Sequence, residues 1–155
     1  MKNILLIGCG HMGGSLMSGW SNSKNYTISV IDKKKYAILK KRNRNKKIKF
    51  FKSIDDINNQ NNFDYIIFAT RPLELTNVFK ELKNANFSKK SIVISVIAGK
   101  KTEIFKKNLI NISKIVRVMP NMPALIGEGV HCIYTNKSIN KKEINDIDKL
   151  FSLSG

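Results

Sequence analysis

The chain has 155 residues, of which 42% are hydrophobic, and a formal net charge of +17 at pH 7. This length suits a single domain with a buried core, and no apolar run approaches the ~20 residues that a bilayer-spanning helix needs. The apolar run at residues 4–7 is too short for a signal peptide. We therefore expect a cytoplasmic protein with no membrane partner. The two cysteines and two histidines have no zinc-ligand spacing, so neither a metal site nor a disulfide is predicted.

The predicted elements follow from short apolar segments that alternate with amphipathic ones. Strands are predicted at residues 2–8, 26–31, 48–51, 64–69, 91–96, 114–119 and 130–134. Helices are predicted at residues 15–23, 33–44, from Pro72 onward, at 102–109 with Thr102 as its cap, and at 141–151. Ser53 is predicted to cap a short helix at 53–57, and residues 58–62 are predicted as a loop. Because strands and helices alternate, the pattern predicts a Rossmann-like, doubly wound, mostly parallel α/β sheet in one domain, residues 1–155.

A glycine-rich turn follows the first predicted strand. Gly8, Gly10 and Gly13 fit the GxGxxG pattern, and they stand between a strand and a helix, as the motif requires. The first glycine would permit a tight turn, the second would let a pyrophosphate approach the backbone, and the third would let the helix pack closely. The turn predicts dinucleotide binding, and a turn without a ligand is the alternative. The cofactor-binding residues predicted here are Ile7, Gly8, Cys9, Gly10, His11, Met12 and Gly13, with Cys9 expected to be a small buried residue rather than a nucleophile.

The second predicted strand ends beside charges of both signs. Asp32 lies 19 residues after Gly13, the position of an acid that binds the adenosine ribose. An acid there favours NAD because it repels a 2′-phosphate, whereas the lysines that follow favour NADP. We predict that Asp32, Lys33 and Lys34 bind this end of the cofactor, that NADP is preferred, and that NAD remains possible.

Ten basic residues fall between positions 33 and 49 with no acid among them. They could form an anion site or a nucleic-acid surface, or simply a solvated helix face. Lysine outnumbers arginine six to one in this chain, whereas nucleic-acid readers usually rely on arginine. This favours the solvated face, and no nucleic-acid partner is predicted.

A proline-containing segment follows the sixth predicted strand. Residues 117–129 include Pro120 and Pro123, which lack a backbone N–H, so the segment cannot form an ordinary helix. A rigid loop just beyond a strand is where α/β proteins place ligand chemistry. The segment is therefore a candidate wall of a binding site.

Taken together, the glycine turn and the proline segment resemble those of the pyrroline-5-carboxylate reductases. Ala69-Thr-Arg-Pro72 stands where the family has Ala-Val-Lys-Pro, so that Thr70 and Arg71 replace valine and lysine. Met122 replaces the usual threonine, and Ser53 stands where the family often has an asparagine. The matched positions are Gly8, Gly10, Met12 and Gly13, then Ser95, Ala98 and Gly99, and finally Arg117, Met119, Pro120, Asn121, Pro123, Gly127, Glu128 and Gly129.

The resemblance implies hydride transfer from a nicotinamide to the C=N carbon of 1-pyrroline-5-carboxylate, which gives L-proline. It also implies further cofactor-binding residues. For two of them another role is open: Arg71 could cap a helix, and Asn121 could pair with loop amides. No residue is a convincing general acid, so no catalytic residue is predicted. The further cofactor-binding residues are Ser53, Ala69, Thr70, Arg71, Pro72, Ile97, Ala98 and Asn121.

Members of that family continue into a helical second domain that forms a homo-oligomer and much of the substrate pocket. The resemblance places the domain boundary near Gly155, so the chain is expected to be the cofactor-binding domain and inactive alone. One alternative is the domain of a related NADP-dependent imine or deazaflavin-type reductase. Another is a non-catalytic basic binding module.

Overall fold

The computed structural model describes residues 1–121 and 130–154. Within this part of the chain, seven strands form one sheet in the order β3-β2-β1-β4-β5-β6-β7. Strands β1 to β6 are parallel, and β7 pairs with β6 in the antiparallel sense. The prediction of a doubly wound, mostly parallel sheet is confirmed. The strands are β1 (Lys2–Ile7), β2 (Tyr26–Ile31), β3 (Ile48–Phe51), β4 (Tyr65–Phe68), β5 (Ile92–Ser95), β6 (Ile115–Pro120) and β7 (His131–Thr135).

Helices connect the strands and cover both faces of the sheet. They are α1 (His11–Ser21), α2 (Tyr36–Arg42), α3 (Leu75–Glu81), α4 (Thr102–Asn108) and α5 (Lys141–Phe151), with two short 3-10 turns at Ile54–Asp56 and Gln60–Asn62. None of the helices in the described residues is long and apolar enough to cross a membrane.

The sheet separates two hydrophobic cores, because successive side chains of a strand point to opposite faces. Ile4 and Leu6 of β1 join the core beneath α1 and α5, whereas Leu5 and Ile7 join the core beneath α3 and α4. Phe68, Phe79 and Phe105 form an aromatic cluster in the second core, with ring centroids 5.1 to 5.8 Å apart. Such rings contribute large buried areas as well as edge-to-face attraction.

The first helix and the last are joined through Trp20. Its indole is fully buried, and Nε1 donates a hydrogen bond to the carbonyl oxygen of Leu150 at 2.9 Å. The ring also meets Phe151 edge-on, with centroids 6.0 Å apart. A Cβ added at Gly19 would lie 2.5 Å from the Leu153 carbonyl oxygen. Contacts this close fix the C-terminal helix against α1.

A second tie joins α5 to the amino-terminal edge of the sheet. Lys2 Nζ donates to Tyr65 Oη at 2.8 Å and to Asp146 Oδ2 at 2.9 Å. The hydrogen bond from Lys2 lowers the pKa of the Asp146 carboxyl, although partial burial opposes the shift. The cluster therefore links β1, β4 and α5 through one ammonium group.

Several predicted helix boundaries were wrong by a few residues. Helix α1 begins at His11 instead of Ser15, and α3 begins at Leu75 instead of Pro72. Helix α2 begins only at Tyr36, because the residues before it form a turn closed by Asp32. Thr102 is the first helical residue of α4, and Lys101 occupies the N-cap position without a side-chain hydrogen bond.

Candidate cofactor-binding site

The predicted cofactor-binding residues lie at the carboxyl ends of the parallel strands. These ends share one edge of the sheet, and β1 and β4 lie side by side where the chain changes direction across it. A crevice at such a switch point is the general ligand site of open α/β sheets. The residues are distributed as 7–13 after β1, 32–34 after β2, Ser53 after β3, 69–72 after β4, Ile97 and Ala98 after β5, and Asn121 after β6.

Gly8 makes the sharp turn at the end of β1. Its φ is +93°, and its N–H donates to the Ile31 carbonyl oxygen at 2.9 Å. A Cβ here would lie 2.8 Å from Thr70 Cγ2 and 2.9 Å from the backbone carbonyl of Ala69. Both the backbone conformation and the close neighbour therefore require glycine.

Gly13 lets α1 pack directly on the turn. A Cβ at this position would lie 2.2 Å from the Gly8 carbonyl oxygen and 3.2 Å from Ala69 Cβ. The helix ladder begins one residue later, where Gly14 N–H donates to the Gly10 carbonyl oxygen at 2.9 Å. The prediction that the third glycine lets the helix pack closely on the end of the strand is therefore confirmed.

Gly10 has open space around it. It is exposed at the N-cap of α1, no atom of the described residues lies within 4 Å of a Cβ built there, and the first turn of the helix contains no acidic residue. The first N–H groups of a helix have no intrahelical acceptor, and the helix dipole favours an anion beside them. The space that a side chain would fill is thus suited to a phosphate group approaching the backbone.

Asp32 holds the glycine turn in place. Its Oδ2 accepts from Cys9 N–H at 2.8 Å, and its Oδ1 accepts from Lys35 N–H at 2.9 Å. Lys35 Nζ in turn donates to the Cys9 carbonyl oxygen at 3.0 Å. The sequence suggested a ribose-binding acid but not this second role, which depends on β1 and β2 being neighbours. Lys35 is a residue of the site that the prediction did not include.

The thiol of Cys9 is 3% exposed within the turn. Burial raises its pKa to about 11, the Asp32 charge adds to the effect, and Lys35 opposes it. Because the thiolate is the nucleophilic form, this cysteine is suited to packing and not to attack.

Lys33 and Lys34 extend from the β2 end toward α3. Lys34 Nζ lies 2.6 Å from Glu74 Oε1, and Lys33 Nζ lies 3.9 Å from Glu81 Oε1. The hydrogen bond from Lys34 lowers the pKa of Glu74. Both ammonium groups are largely exposed, so these surface pairs are weak and can exchange partners.

The segment after β4 lies against the turn. Ala69 N–H donates to the Ile7 carbonyl oxygen at 2.9 Å, which continues the ladder between β1 and β4. Thr70 Oγ1 is buried and has no hydrogen-bond partner among the described residues. Arg71 and Pro72 are exposed, and the Arg71 carbonyl oxygen accepts from Glu74 N–H at 3.0 Å in the turn before α3.

The remaining predicted residues follow β3, β5 and β6. Ser53 caps the first 3-10 turn as predicted, with Oγ accepting from Asp55 N–H at 3.2 Å. Ile97 is buried and Ala98 is exposed. Asn121 Oδ1 accepts from Val130 N–H at 3.0 Å, in agreement with the alternative that it pairs with loop amides. The proline-segment positions at 122–129 lie outside the described residues.

The described residues contain no group of three or more His, Cys, Asp or Glu side chains that could hold a metal ion.

Residues 3–99 match the family model described as "NADP oxidoreductase coenzyme F420-dependent". The chain belongs to this family. It is also 30% identical over 146 residues to the pyrroline-5-carboxylate reductase of Haemophilus influenzae, an alignment that covers 90% of this chain and 51% of that protein. The reductase of Methanosarcina acetivorans is 29% identical, with 99% of this chain and 57% of that protein covered. The chain therefore spans about half the length of the curated relatives it matches.

Solved structures show the same fold. A pyrroline-5-carboxylate reductase from Coxiella burnetii matches with a TM-score of 0.80 and 24% identity, covering 99% of this chain and 57% of that one. The Plasmodium falciparum pyrroline carboxylate reductase, solved with NADP bound, matches with a TM-score of 0.74 and 22% identity, covering 99% and 55%. Together these findings confirm the predicted relationship to the pyrroline-5-carboxylate reductases.

Proposed function

We propose that the chain binds NADPH along the carboxyl edge of its sheet as the cofactor-binding part of a pyrroline-5-carboxylate reductase. The observation that carries this proposal is the glycine turn: Gly8 and Gly13 are forced by backbone contacts, whereas Gly10 faces open space. Among the described residues, no atom lies within 4 Å of a Cβ added at Gly10, so packing gives no reason for a glycine at this position. Close approach of a pyrophosphate supplies that reason.

The lysines after Asp32 support NADPH over NADH. The carboxylate of Asp32 already accepts two backbone N–H groups, so its charge is partly neutralised by the turn itself. Lys34 is exposed and, among the described residues, forms a surface ion pair with Glu74, so its ammonium group can move to a 2′-phosphate. NADH remains a possible cofactor, because the acid can also bind an unmodified ribose.

When bound, the nicotinamide supplies the hydride that reduces the C=N carbon of 1-pyrroline-5-carboxylate to give L-proline. This chain binds and orients the cofactor: the turn holds the pyrophosphate, residues 69–72 line the crevice, and Ile97, Ala98 and Asn121 stand toward the nicotinamide end. We propose that these 155 residues bind cofactor without turnover, because none of them is a convincing general acid and the chain spans about half the length of the curated relatives it matches.

A titration of NADPH against the chain, followed by nucleotide fluorescence, tests the binding site. Gly10→Ala places a methyl group in the open space and is expected to weaken NADPH binding at least tenfold. Gly14→Ala is the matched control, since its Cβ would meet only Cys9 Sγ, at 4.0 Å; its affinity should match that of the unmodified chain. Equal affinities for both variants would contradict the assignment of the phosphate site.

Activity is tested separately by following proline formation from 1-pyrroline-5-carboxylate and NADPH, with the Haemophilus influenzae reductase as the positive control. No proline is expected from the 155-residue chain. Proline formation by the chain would support the reductase activity and disprove the proposal that these residues bind cofactor without turnover.

A further inference from the structure

A groove lies beside the outer strands β6 and β7, on the sheet face that carries α3 and α4. Val116 and Val118 enter the core on the other face, so Arg117 and Met119, which alternate with them, face the groove. The start of α4 forms the opposite wall. The groove has a volume of about 430 Å³, which is within the range of small-molecule sites.

Arg117 is the unusual group in this groove. Its Nε is buried without a hydrogen-bond partner among the described residues, and none of their carboxylates lies within salt-bridge distance of its guanidinium. A buried donor left unpaired costs about 1–3 kcal/mol, and more when it is charged. The planar fork of an arginine matches the two oxygens of a carboxylate.

The rest of the lining indicates what would carry that carboxylate. Met119 and Tyr134 are 38% and 65% exposed, which leaves an apolar and aromatic surface beside the guanidinium. Lys101 lines the same groove and adds a second cation, while Glu103 contributes one opposing charge. The chemistry of the lining fits a compact ring that bears a single carboxylate.

We propose that this groove binds a small cyclic organic acid, with its carboxylate on Arg117 and its ring against Met119 and Tyr134. This site is separate from the proposed cofactor crevice. It opens on the face of the sheet, and β6 lies three strands from β1, or about 14 Å at the usual strand spacing.

Benzoate is a suitable probe, with benzyl alcohol as its neutral counterpart, and binding is measured by calorimetric titration. Benzoate is expected to bind to a single site, at least tenfold more tightly than benzyl alcohol and more weakly as salt is added. Arg117→Met should reduce benzoate affinity at least tenfold. Glu103→Gln removes the opposing charge and should increase that affinity severalfold. Equal binding of the two probes would overturn the proposal.

Arg44→Met is the matched control, because it removes the same charge from an exposed arginine outside both the groove and the proposed cofactor crevice. Its benzoate affinity should remain unchanged, and a loss equal to that of Arg117→Met would reveal nothing more than general charge attraction and overturn the site. If Arg117→Met does not fold, the exposed Lys101→Gln serves instead. It should weaken benzoate about twofold, and unchanged affinity would count against the groove.

The thiol of Cys132 gives an independent readout, since it is exposed and lines the groove whereas Cys9 is buried. Bound benzoate should slow maleimide labelling of Cys132 in the unmodified chain and have no effect in Arg117→Met. Labelling that is indifferent to benzoate would overturn the proposal. So would a dimer that buries this face and dissociates in Tyr134→Arg, because the groove would then be occupied by a second copy.

Discussion

At the glycine turn, added atoms would collide with backbone at Gly8 and Gly13, and the carboxylate of Asp32 is paired with two N–H groups. In the groove between α4 and the outer strands, Arg117 Nε has no partner in the described part of the chain, and Tyr134 is mostly exposed. The two regions belong to one sheet, yet only the first is determined by its own contacts. The backbone of the turn is held by its own packing and hydrogen bonds before any ligand binds, whereas the guanidinium in the groove has a buried N–H without a partner among the described residues.

The largest effect is expected at Gly13. In Gly13→Ala the new methyl would lie 2.2 Å from the Gly8 carbonyl oxygen, so α1 must move away from the strand. We expect the free energy of unfolding to fall by about 3 kcal/mol, measured by urea denaturation. Gly14→Ala in the same turn is the control and should change it little. An unfolding midpoint of Gly13→Ala equal to that of the control would show that the turn is not rigid.

A smaller effect is expected at Asp32. The Asp32→Asn amide retains one acceptor oxygen but turns an NH₂ group toward a backbone N–H, so one of the two hydrogen bonds is lost. The expected loss of unfolding free energy is about 1–3 kcal/mol. Glu81→Gln, on an exposed glutamate 3.9 Å from Lys33, should cost under about 0.5 kcal/mol. If both variants cost the same, Asp32 would not be a structural part of the turn.

A pH-dependent effect is expected at the start of β7. Burial lowers the pKa of His131, although a backbone hydrogen bond and the Asp148 charge oppose the shift. The unfolded chain therefore takes up a proton first, near the ordinary histidine pKa of about 6.5. Stability from this group is present above that pH and is lost as the pH falls toward the lower folded-state pKa.

The measurement is the urea midpoint at pH 7.5 and pH 5.5, which should decrease at the lower pH. His131→Gln should make this decrease smaller. A decrease of the same size in the variant would assign the pH dependence to other groups.

The smallest effect on stability is expected at Tyr134. Because the ring is 65% exposed, Tyr134→Ser should change the unfolding free energy by no more than about 0.5 kcal/mol. The same variant should lose benzoate affinity, since the ring is part of the proposed site. A large loss of stability would mean that the Tyr134 ring packs firmly against this face of the sheet. The groove would then be stabilised by its own contacts, as the glycine turn is, and the contrast between the two regions would disappear.

The strands of the sheet were predicted well from the sequence. Each is a short apolar run with polar residues at its ends, and burial of that run is enough to mark it as a strand. The bounds of β2, β3 and α5 agree with the prediction residue for residue. Helix starts were less predictable. Gly13 and Gly14 have poor helix propensity, yet α1 includes both, because a tertiary contact between Gly13 and Gly8 holds the first turn in place.

The candidate site was predicted in part. The spacing of Gly8, Gly10 and Gly13 indicated a different structural role for each glycine. These roles could be predicted because they depend on neighbouring residues within one strand–turn–helix segment. The pairing of Asp32 with Cys9 N–H could not be predicted in the same way, since it joins residues 23 positions apart. The roles of the predicted residues in binding cofactor remain predictions for the titrations above.

The hydrogen bond from Trp20 to the Leu150 carbonyl has a consequence for the order of events during synthesis. It joins groups 130 positions apart, and Phe151 completes the same contact. The ribosome makes the chain from the N-terminus, so α1 is finished long before the helix that covers it. Until α5 emerges, the apolar side of the nascent sheet lacks its last cover. Closure of this side of the sheet therefore waits for residues 141–151 to leave the ribosome, and the burial of Trp20, the one tryptophan of the sequence, would report it.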